Sequence, residues 1–119
     1  MARGYRDLIV WQKSMDFAVC LYGIAKEFPK FELFGLVSQI TRAAISVPAN
    51  IAEGCSRKSY KEKVQFLHIA FGSLSEVETY IELAIRLDYI SEEKYIDMTE
   101  RKEEIRKMLY SLIIKFKNS

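Results

Sequence analysis

A cluster of basic side chains is the first group of residues whose chemistry suggests a function. Four cations fall within seven residues: Arg57, Lys58, Lys61 and Lys63. They surround the string Ser59-Tyr60-Lys61-Glu62, a capping-box pattern typical of a helix N-terminus. Free backbone amides and the helix dipole attract anions there, so the cluster is a candidate phosphate site. On a monomer, the cluster is equally well explained as a solvated loop. In a symmetric oligomer the cluster would be repeated in every subunit, so that weak phosphate contacts would add up to useful affinity for nucleic acid.

A second polar feature precedes the cluster. Five polar residues recur at steps of three or four and therefore lie along one line of a helix: Gln39, Arg42, Ser46, Asn50 and Glu53. Such a line is usually the solvated face, but Arg42 lies among Ala, Ile and Val and is a further candidate phosphate contact.

Glu78 lies on an apolar face of another predicted helix, between Leu74 and Ile81. Because burial of a lone carboxylate is costly, we expect Glu78 to pair with Arg42 or to accept a hydrogen bond from Gln39 or Asn50. The sequence therefore predicts a buried polar network of Gln39, Arg42, Asn50 and Glu78.

No constellation of residues predicts catalysis or metal binding. His68 is the only histidine and lies within a predicted helix, where a lone histidine is usually packed or solvated. Cys20 and Cys55 lack the spacing of a zinc site, and no Gly-rich loop predicts a nucleotide site. We therefore expect no enzyme activity, no metal and no cofactor.

The composition restricts the elements that can carry these residues. With 5 Gly and 2 Pro in 119 residues, the chain has few turn signals and must form long elements within one domain, residues 1–119. The longest uncharged apolar stretches, 17–25 and 43–52, fall short of the roughly 20 residues of a membrane span. Neither a signal peptide nor a disulfide framework is predicted, and two unpaired thiols favour the cytoplasm.

Apolar residues recur at helical spacing in four stretches, which are 8–28, 33–53, 59–87 and the segment from Ser91 onward. Pro29 should end the first helix, and Ser91 should cap the fourth. Pro48 predicts a kink between Ala44 and Pro48, or a break at Val47 that divides the second helix in two. Four amphipathic helices with short connections predict an all-α fold, an antiparallel up-and-down four-helix bundle.

Most of these helices carry two adjacent apolar faces rather than one. Large apolar surfaces are rare on soluble monomers, so the second face favours a homo-oligomer. Deep burial in a large monomeric core is the alternative.

Several strings in the sequence also resemble a known family. They are LIVWQK at 8–13, Phe28-Pro29, QITRAAISVPANIAEG at 39–54 and, in the third helix, Phe66-Leu67, Ile69-Ala70, Gly72-Ser73-Leu74 and Glu76. Together they resemble the bacterial four-helix bundle family whose members include proteins encoded within intervening sequences of 23S rRNA genes. The resemblance covers nearly the whole chain.

The resemblance implies a left-handed up-and-down bundle that assembles into a homopentameric ring in the bacterial cytoplasm, with no established enzymatic activity. Relatives include the accessory variability protein of diversity-generating retroelements, a basic pentamer with a suggested role in binding nucleic acid and a reverse transcriptase. This chain departs from that pattern because its net charge is only +2 and its last helix is rich in acidic residues.

Two functional hypotheses follow. The first is an oligomer that binds RNA or DNA through phosphate contacts from five cations: Arg42, Arg57, Lys58, Lys61 and Lys63. The second is a scaffold that binds another protein through an apolar or mixed surface.

Overall fold

The computed structural model describes residues 4–119, which form four long helices. Their bounds are α1 (Ile9–Ala25), α2 (Leu36–Ser56), α3 (Tyr60–Arg86) and α4 (Glu92–Lys117). Short 3₁₀ turns precede α1 and α2, at Gly4–Asp7 and Lys30–Glu32, and no strand occurs within residues 4–119. The predicted all-α fold with four helices is confirmed.

Side-chain caps set the starts of the last two helices. The Ser59 hydroxyl accepts a hydrogen bond from the backbone N–H of Glu62 at 3.1 Å, and the Ser91 hydroxyl accepts one from Lys94 at 3.2 Å. Each bond satisfies an amide that has no partner within the helix, so α3 and α4 begin where the sequence predicts.

The side chain of Glu32 caps the start of α2 and also connects the turn before α2 to the turn after α3. One carboxylate oxygen accepts a hydrogen bond from the backbone N–H of Leu36 at 3.1 Å. The other accepts one from the Tyr89 hydroxyl at 2.8 Å, and the Tyr89 ring lies 5.3 Å from the ring of Phe28. These contacts hold the turn after α3 against the turn between α1 and α2.

Helix α2 passes through Pro48 without interruption, so the alternative of two helices divided at Val47 is wrong. Proline removes one backbone hydrogen bond to the carbonyl four residues earlier, that of Ala44. A bend at this point stays a prediction.

The four helices surround one apolar core, and each packs against its two neighbours in the order α1–α2–α3–α4–α1. The molecule measures 45 × 25 × 24 Å, so the long axis matches the roughly 40 Å expected for the 27 residues of α3. Every helix contributes side chains with almost no exposed surface: Phe17, Leu21, Val47, Ile51, Leu67, Val77, Ile105 and Leu109. None of the described helices is long and apolar enough to cross a membrane.

Small residues allow α2 and α3 to approach closely. Gly54 is buried near the end of α2, and a Cβ atom there would lie 3.1 Å from both the Lys63 carbonyl oxygen and the Phe66 Cβ. Farther along the same pair of helices, the Ser73 hydroxyl donates a 2.7 Å hydrogen bond to the Ser46 hydroxyl.

Several large apolar side chains are exposed on the surface of the single chain. Phe31 and Phe34, between α1 and α2, are 78% and 92% exposed. Met15, Val19 and Tyr22 on α1 are also exposed. One predicted apolar face of α1 is therefore buried only in part, since Ala18 and Ala25 lie in the core while Met15 and Tyr22 do not.

The turn that precedes α1 folds back onto that helix. The rings of Tyr5 and Trp11 meet edge to face at 5.2 Å, and the Gln12 side-chain amide donates a 2.9 Å hydrogen bond to the Arg6 carbonyl. The same turn packs against α2.

Replacement of Gly54 by Ala tests the close approach of α2 and α3. We expect Gly54→Ala to lower the free energy of unfolding by about 1–3 kcal/mol relative to Gly72→Ala, because the added methyl group lies 3.1 Å from the Lys63 carbonyl oxygen and overpacks against backbone. Gly72→Ala is the matched control, since a Cβ atom at Gly72 meets nothing within 4 Å. Because alanine has a higher helix propensity than glycine, Gly72→Ala should raise the free energy of unfolding by about 1 kcal/mol. Urea denaturation followed by circular dichroism measures both, and equal effects of the two variants would contradict the close approach.

Candidate nucleic-acid interface

One end of the bundle collects cations from two helices. Here α2 ends and α3 begins, and the ring of Phe116 near the end of α4 lies 5.8 Å from that of Tyr60. Lys115 and Lys117 flank Phe116 in the sequence, so they also lie at this end. We call this surface the basic end and define it by Lys58, Lys61, Lys63, Lys115 and Lys117. The sequence analysis missed its last two members because no local spacing relates residue 60 to residue 116.

The guanidinium of Arg57 is engaged within the molecule. Its Cζ lies 4.6 Å from the centroid of the Phe66 ring, a cation–π contact. One Nη atom lies 3.2 Å from a carboxylate oxygen of Glu53, four residues earlier in the chain, while the buried Nε has no hydrogen-bond partner among the described residues. Arg57 therefore links the turn after α2 to the side of α3.

Lys63 is also engaged. Its Nζ donates a 2.9 Å hydrogen bond to the backbone carbonyl of Cys55 and lies 5.7 Å from the centroid of the Phe116 ring. The ammonium thus satisfies a carbonyl in the last turn of α2, where the helix dipole favours positive charge. Burial raises the pKa of the Cys55 thiol, and attraction to the nearby Lys63 ammonium offsets part of that rise.

Lys58 and Lys61 have exposed side chains, and neither forms an ion pair within residues 4–119. The same is true of Lys115 and Lys117 at the end of α4. Lys58 and Lys61 lie at the start of α3, where the earliest backbone amides have no acceptor in their own helix. Glu62 is the carboxylate on that turn. The basic end thus carries four exposed lysines without an ion pair within residues 4–119, two at the start of α3 and two at the end of α4.

Arg42 does not belong to this surface. It precedes Arg57 by 15 residues on α2, which places it roughly 22 Å away along the helix. Its side chain lines a separate polar cleft of about 500 Å³ between α2 and α3, together with Gln39, Ser46, Ser73 and Glu76. The structure brings Lys58, Lys61 and Lys63 together with Arg57 and leaves Arg42 apart.

The predicted network of Gln39, Arg42, Asn50 and Glu78 does not form. Gln39 accepts a 3.4 Å hydrogen bond from the Tyr80 hydroxyl. Asn50 donates hydrogen bonds to the Ser46 carbonyl at 2.8 Å and to the Ser46 hydroxyl at 3.0 Å.

Glu78 is half exposed and forms its ion pair with Lys102 of α4. The prediction of its partner is wrong because the rotation of α3 directs Val77, rather than Glu78, into the core.

Lys102 is the buried charge that the sequence analysis missed. It lies on the core face of α4 between Met98 and Ile105, and only 8% of the residue is exposed. The gap in the apolar spacing between those two residues is the signal that could have identified it. Burial of the ammonium acts to lower the pKa of Lys102, but hydrogen bonds and attraction from Glu78 and Glu103 outweigh burial and raise it.

Glu103 connects this ion pair to the next turn of α4. It accepts hydrogen bonds from Arg106, which together with Lys102 lower the pKa of the Glu103 carboxyl to about 2. The carboxylate therefore stays ionised throughout the neutral and mildly acidic range.

The remaining candidates for chemistry lie apart from one another. His68 is exposed on α3, and Cys20 and Cys55 are free thiols. Within the part of the chain that the structure describes, no three His, Cys, Asp or Glu residues form a group that could hold a metal ion.

The fold and its site define the chain as a helical-bundle protein with a cationic end. The family described as 23S rRNA-intervening sequence protein matches residues 6–111, and the chain belongs to that family. A crystal structure of a protein with unknown function, from the S23 ribosomal protein family of Bacteroides thetaiotaomicron VPI-5482, is similar with a TM-score of 0.82. Its sequence is 34% identical, and the match covers 88% of this chain and 98% of that one. No curated protein matches the chain.

The ion pair between α3 and α4 predicts a specific alkaline response. We expect Lys102→Ala to lower the free energy of unfolding at pH 7 by about 1–3 kcal/mol, because it removes buried methylene groups and the partner of Glu78. The raised pKa of Lys102 means that its contribution is complete below about pH 10.5 and is lost as the pH rises through the higher value in the folded protein.

Lys102→Met keeps most of the buried methylene groups without the charge and serves as the control. The free energy of unfolding of the native chain relative to that of Lys102→Met should stay constant between pH 6 and pH 9 and should fall as the pH rises above about 10.5. Urea denaturation from pH 6 to above pH 10.5 is the measurement. A difference that does not change at alkaline pH would show that Lys102 is not paired in the folded protein.

Proposed function

We propose that this protein is a non-enzymatic nucleic-acid-binding protein that contacts the phosphates of RNA or DNA through its basic end. The observation that carries the proposal is the set of four exposed lysines without ion pairs within residues 4–119 at one end of the bundle: Lys58, Lys61, Lys115 and Lys117. Phosphate contacts of this kind supply most of the sequence-independent affinity for nucleic acids. Arg57 and Lys63 form contacts within the molecule that position the turn carrying Lys58. Arg42 lies at the separate polar cleft.

We further propose that the protein acts as a homo-oligomer, a pentameric ring in the bacterial cytoplasm. The exposed apolar side chains of α1 support self-association, since Met15, Val19 and Tyr22 gain from burial against another subunit. A ring repeats the basic end in every subunit. A polyanion that spans several subunits then gains affinity without any new contact within a subunit.

A protein-interaction scaffold is the second candidate. It is favoured by an apolar groove of about 380 Å³ between α1 and α2, lined by residues that include Tyr22, Phe28, Leu33 and Val37. The exposed rings of Phe31 and Phe34 lie on the chain segment beside this groove.

The salt dependence of binding tests the role of the basic end. We expect Lys58→Gln combined with Lys61→Gln to weaken binding of an RNA oligonucleotide. The slope of log K against log salt concentration should become shallower by about 1.4 for single strands, because two phosphate contacts are lost. Filter binding between about 20 mM and 200 mM salt measures the slope, because log K falls linearly with log salt concentration.

Lys26→Gln combined with Lys30→Gln is the matched control, since it removes the same charge from exposed residues at the opposite end of the bundle. This variant should keep the slope of the native chain. Equal slopes for all three proteins, or no binding of RNA or DNA at the lowest salt concentration, would refute the proposed role.

Sedimentation equilibrium tests the assembly. The expected mass is five times the 13.9 kDa of one chain. Met15→Ser combined with Val19→Ser should reduce it, because each substitution makes the exposed face of α1 polar. Lys58→Gln with Lys61→Gln, at the opposite end of the bundle from the groove, should leave it unchanged. A native chain that sediments at 13.9 kDa at every concentration would contradict the oligomer.

A further inference from the structure

The basic end carries an exposed aromatic ring at its centre. Tyr60 is the first residue of α3, is 49% exposed, and has no hydrogen bond to its hydroxyl group among the described residues. The ring leans on that of Phe116 at 5.8 Å, with an interplanar angle of 34°. Phe116 therefore contacts one side of the Tyr60 ring, while about half of the residue faces solvent.

The surroundings of this ring are cationic. Lys58 and Lys61 lie two residues before and one residue after Tyr60, and the Lys63 ammonium lies 5.7 Å from the centroid of the supporting Phe116 ring. Lys115 and Lys117 flank Phe116 on α4. A planar apolar surface thus lies at the same end of the bundle as five lysines, groups that attract phosphates.

A second planar group lies nearby. The Arg57 guanidinium packs against the Phe66 ring at 4.6 Å and keeps 40% of its side-chain surface exposed. Guanidinium planes and aromatic rings are the two kinds of side chain on which unpaired bases stack. Arg57 and Tyr60 are three residues apart, at the end of α2 and the start of α3 respectively.

This arrangement distinguishes between kinds of nucleic acid. The bases of a duplex are stacked on one another and do not expose their faces to a protein ring, whereas the bases of a single strand do. Phosphate contacts alone favour the duplex, because its two strands give it the higher charge density. An exposed ring among lysines favours the single strand, since base stacking adds to the electrostatic attraction.

We propose that the basic end binds single-stranded nucleic acid, with a base stacked on Tyr60 and the flanking phosphates held by Lys58 and Lys61. This inference rests on the proposed function and names the form of nucleic acid that the same surface takes. The stacked base contributes through its π face, so the preference is for strandedness rather than for a particular sequence.

The first test compares a 12-nucleotide oligouridine RNA with a blunt 12-base-pair RNA duplex that has no unpaired loop, using filter binding to the native chain. The single strand should bind about 10-fold more tightly at equal salt concentration. Equal affinity, or tighter binding of the duplex, would overturn the inference while leaving the proposed function intact. Failure of both RNAs to bind would overturn both.

The second test varies the ring itself. Tyr60→Leu keeps an apolar contact with Phe116 but removes the stacking plane, and it should weaken oligouridine binding by roughly 5- to 100-fold. Tyr60→Phe should retain the native affinity. Neither variant should change the salt slope, because no charge is removed.

Tyr110→Leu is the control, since Tyr110 is 55% exposed on α4 and forms no aromatic contact within residues 4–119. Circular dichroism establishes that each variant is folded. Full affinity in a folded Tyr60→Leu protein would overturn the proposed stacking, as would equal losses in Tyr60→Leu and Tyr110→Leu.

Discussion

The close approach of α2 and α3 is the constraint on which the arrangement of the rest depends. Without a side chain at Gly54, the backbone at Lys63 and the Cβ of Phe66 lie directly against the end of α2. This contact determines where the turn of residues 57–59 leaves the bundle and therefore where Lys58 and Lys61 project. The hydrogen bond between Ser46 and Ser73 keeps the same two helices aligned farther along their length. A larger residue at position 54 would separate Arg57 from Phe66 as well as α2 from α3.

Local patterns were sufficient to predict the helices, because the signals for them are local. The hydroxyls of Ser59 and Ser91 cap the helices that their positions predict, since a cap and its partner are three residues apart. The start of α2 was less predictable, because the side chain of Glu32 caps it from within the preceding turn. The family was also recognisable from the string at 39–54, and the match over residues 6–111 confirms it.

Long-range partners were not predictable in the same way. Glu78 was expected to face inward and to find its partner on α2, but a small rotation of α3 places it at the surface beside Lys102 on α4. Likewise, Lys115 and Lys117 join the basic end only because Phe116 meets Tyr60 across the bundle. The spacing of apolar residues indicates that a helix has a buried face. It does not determine which of the residues at the edge of that face is buried.

The packing of Trp11 has a practical consequence, because it is the only tryptophan in the chain. Its ring meets that of Tyr5 at 5.2 Å, in the turn that precedes α1 and packs against α2. The tryptophan fluorescence of the protein therefore originates from one defined place and reports whether the turn at Gly4–Asp7 is docked. Since emission from a single indole needs no added dye, the undocking of this turn can be distinguished from the unfolding of the whole bundle in the unmodified chain.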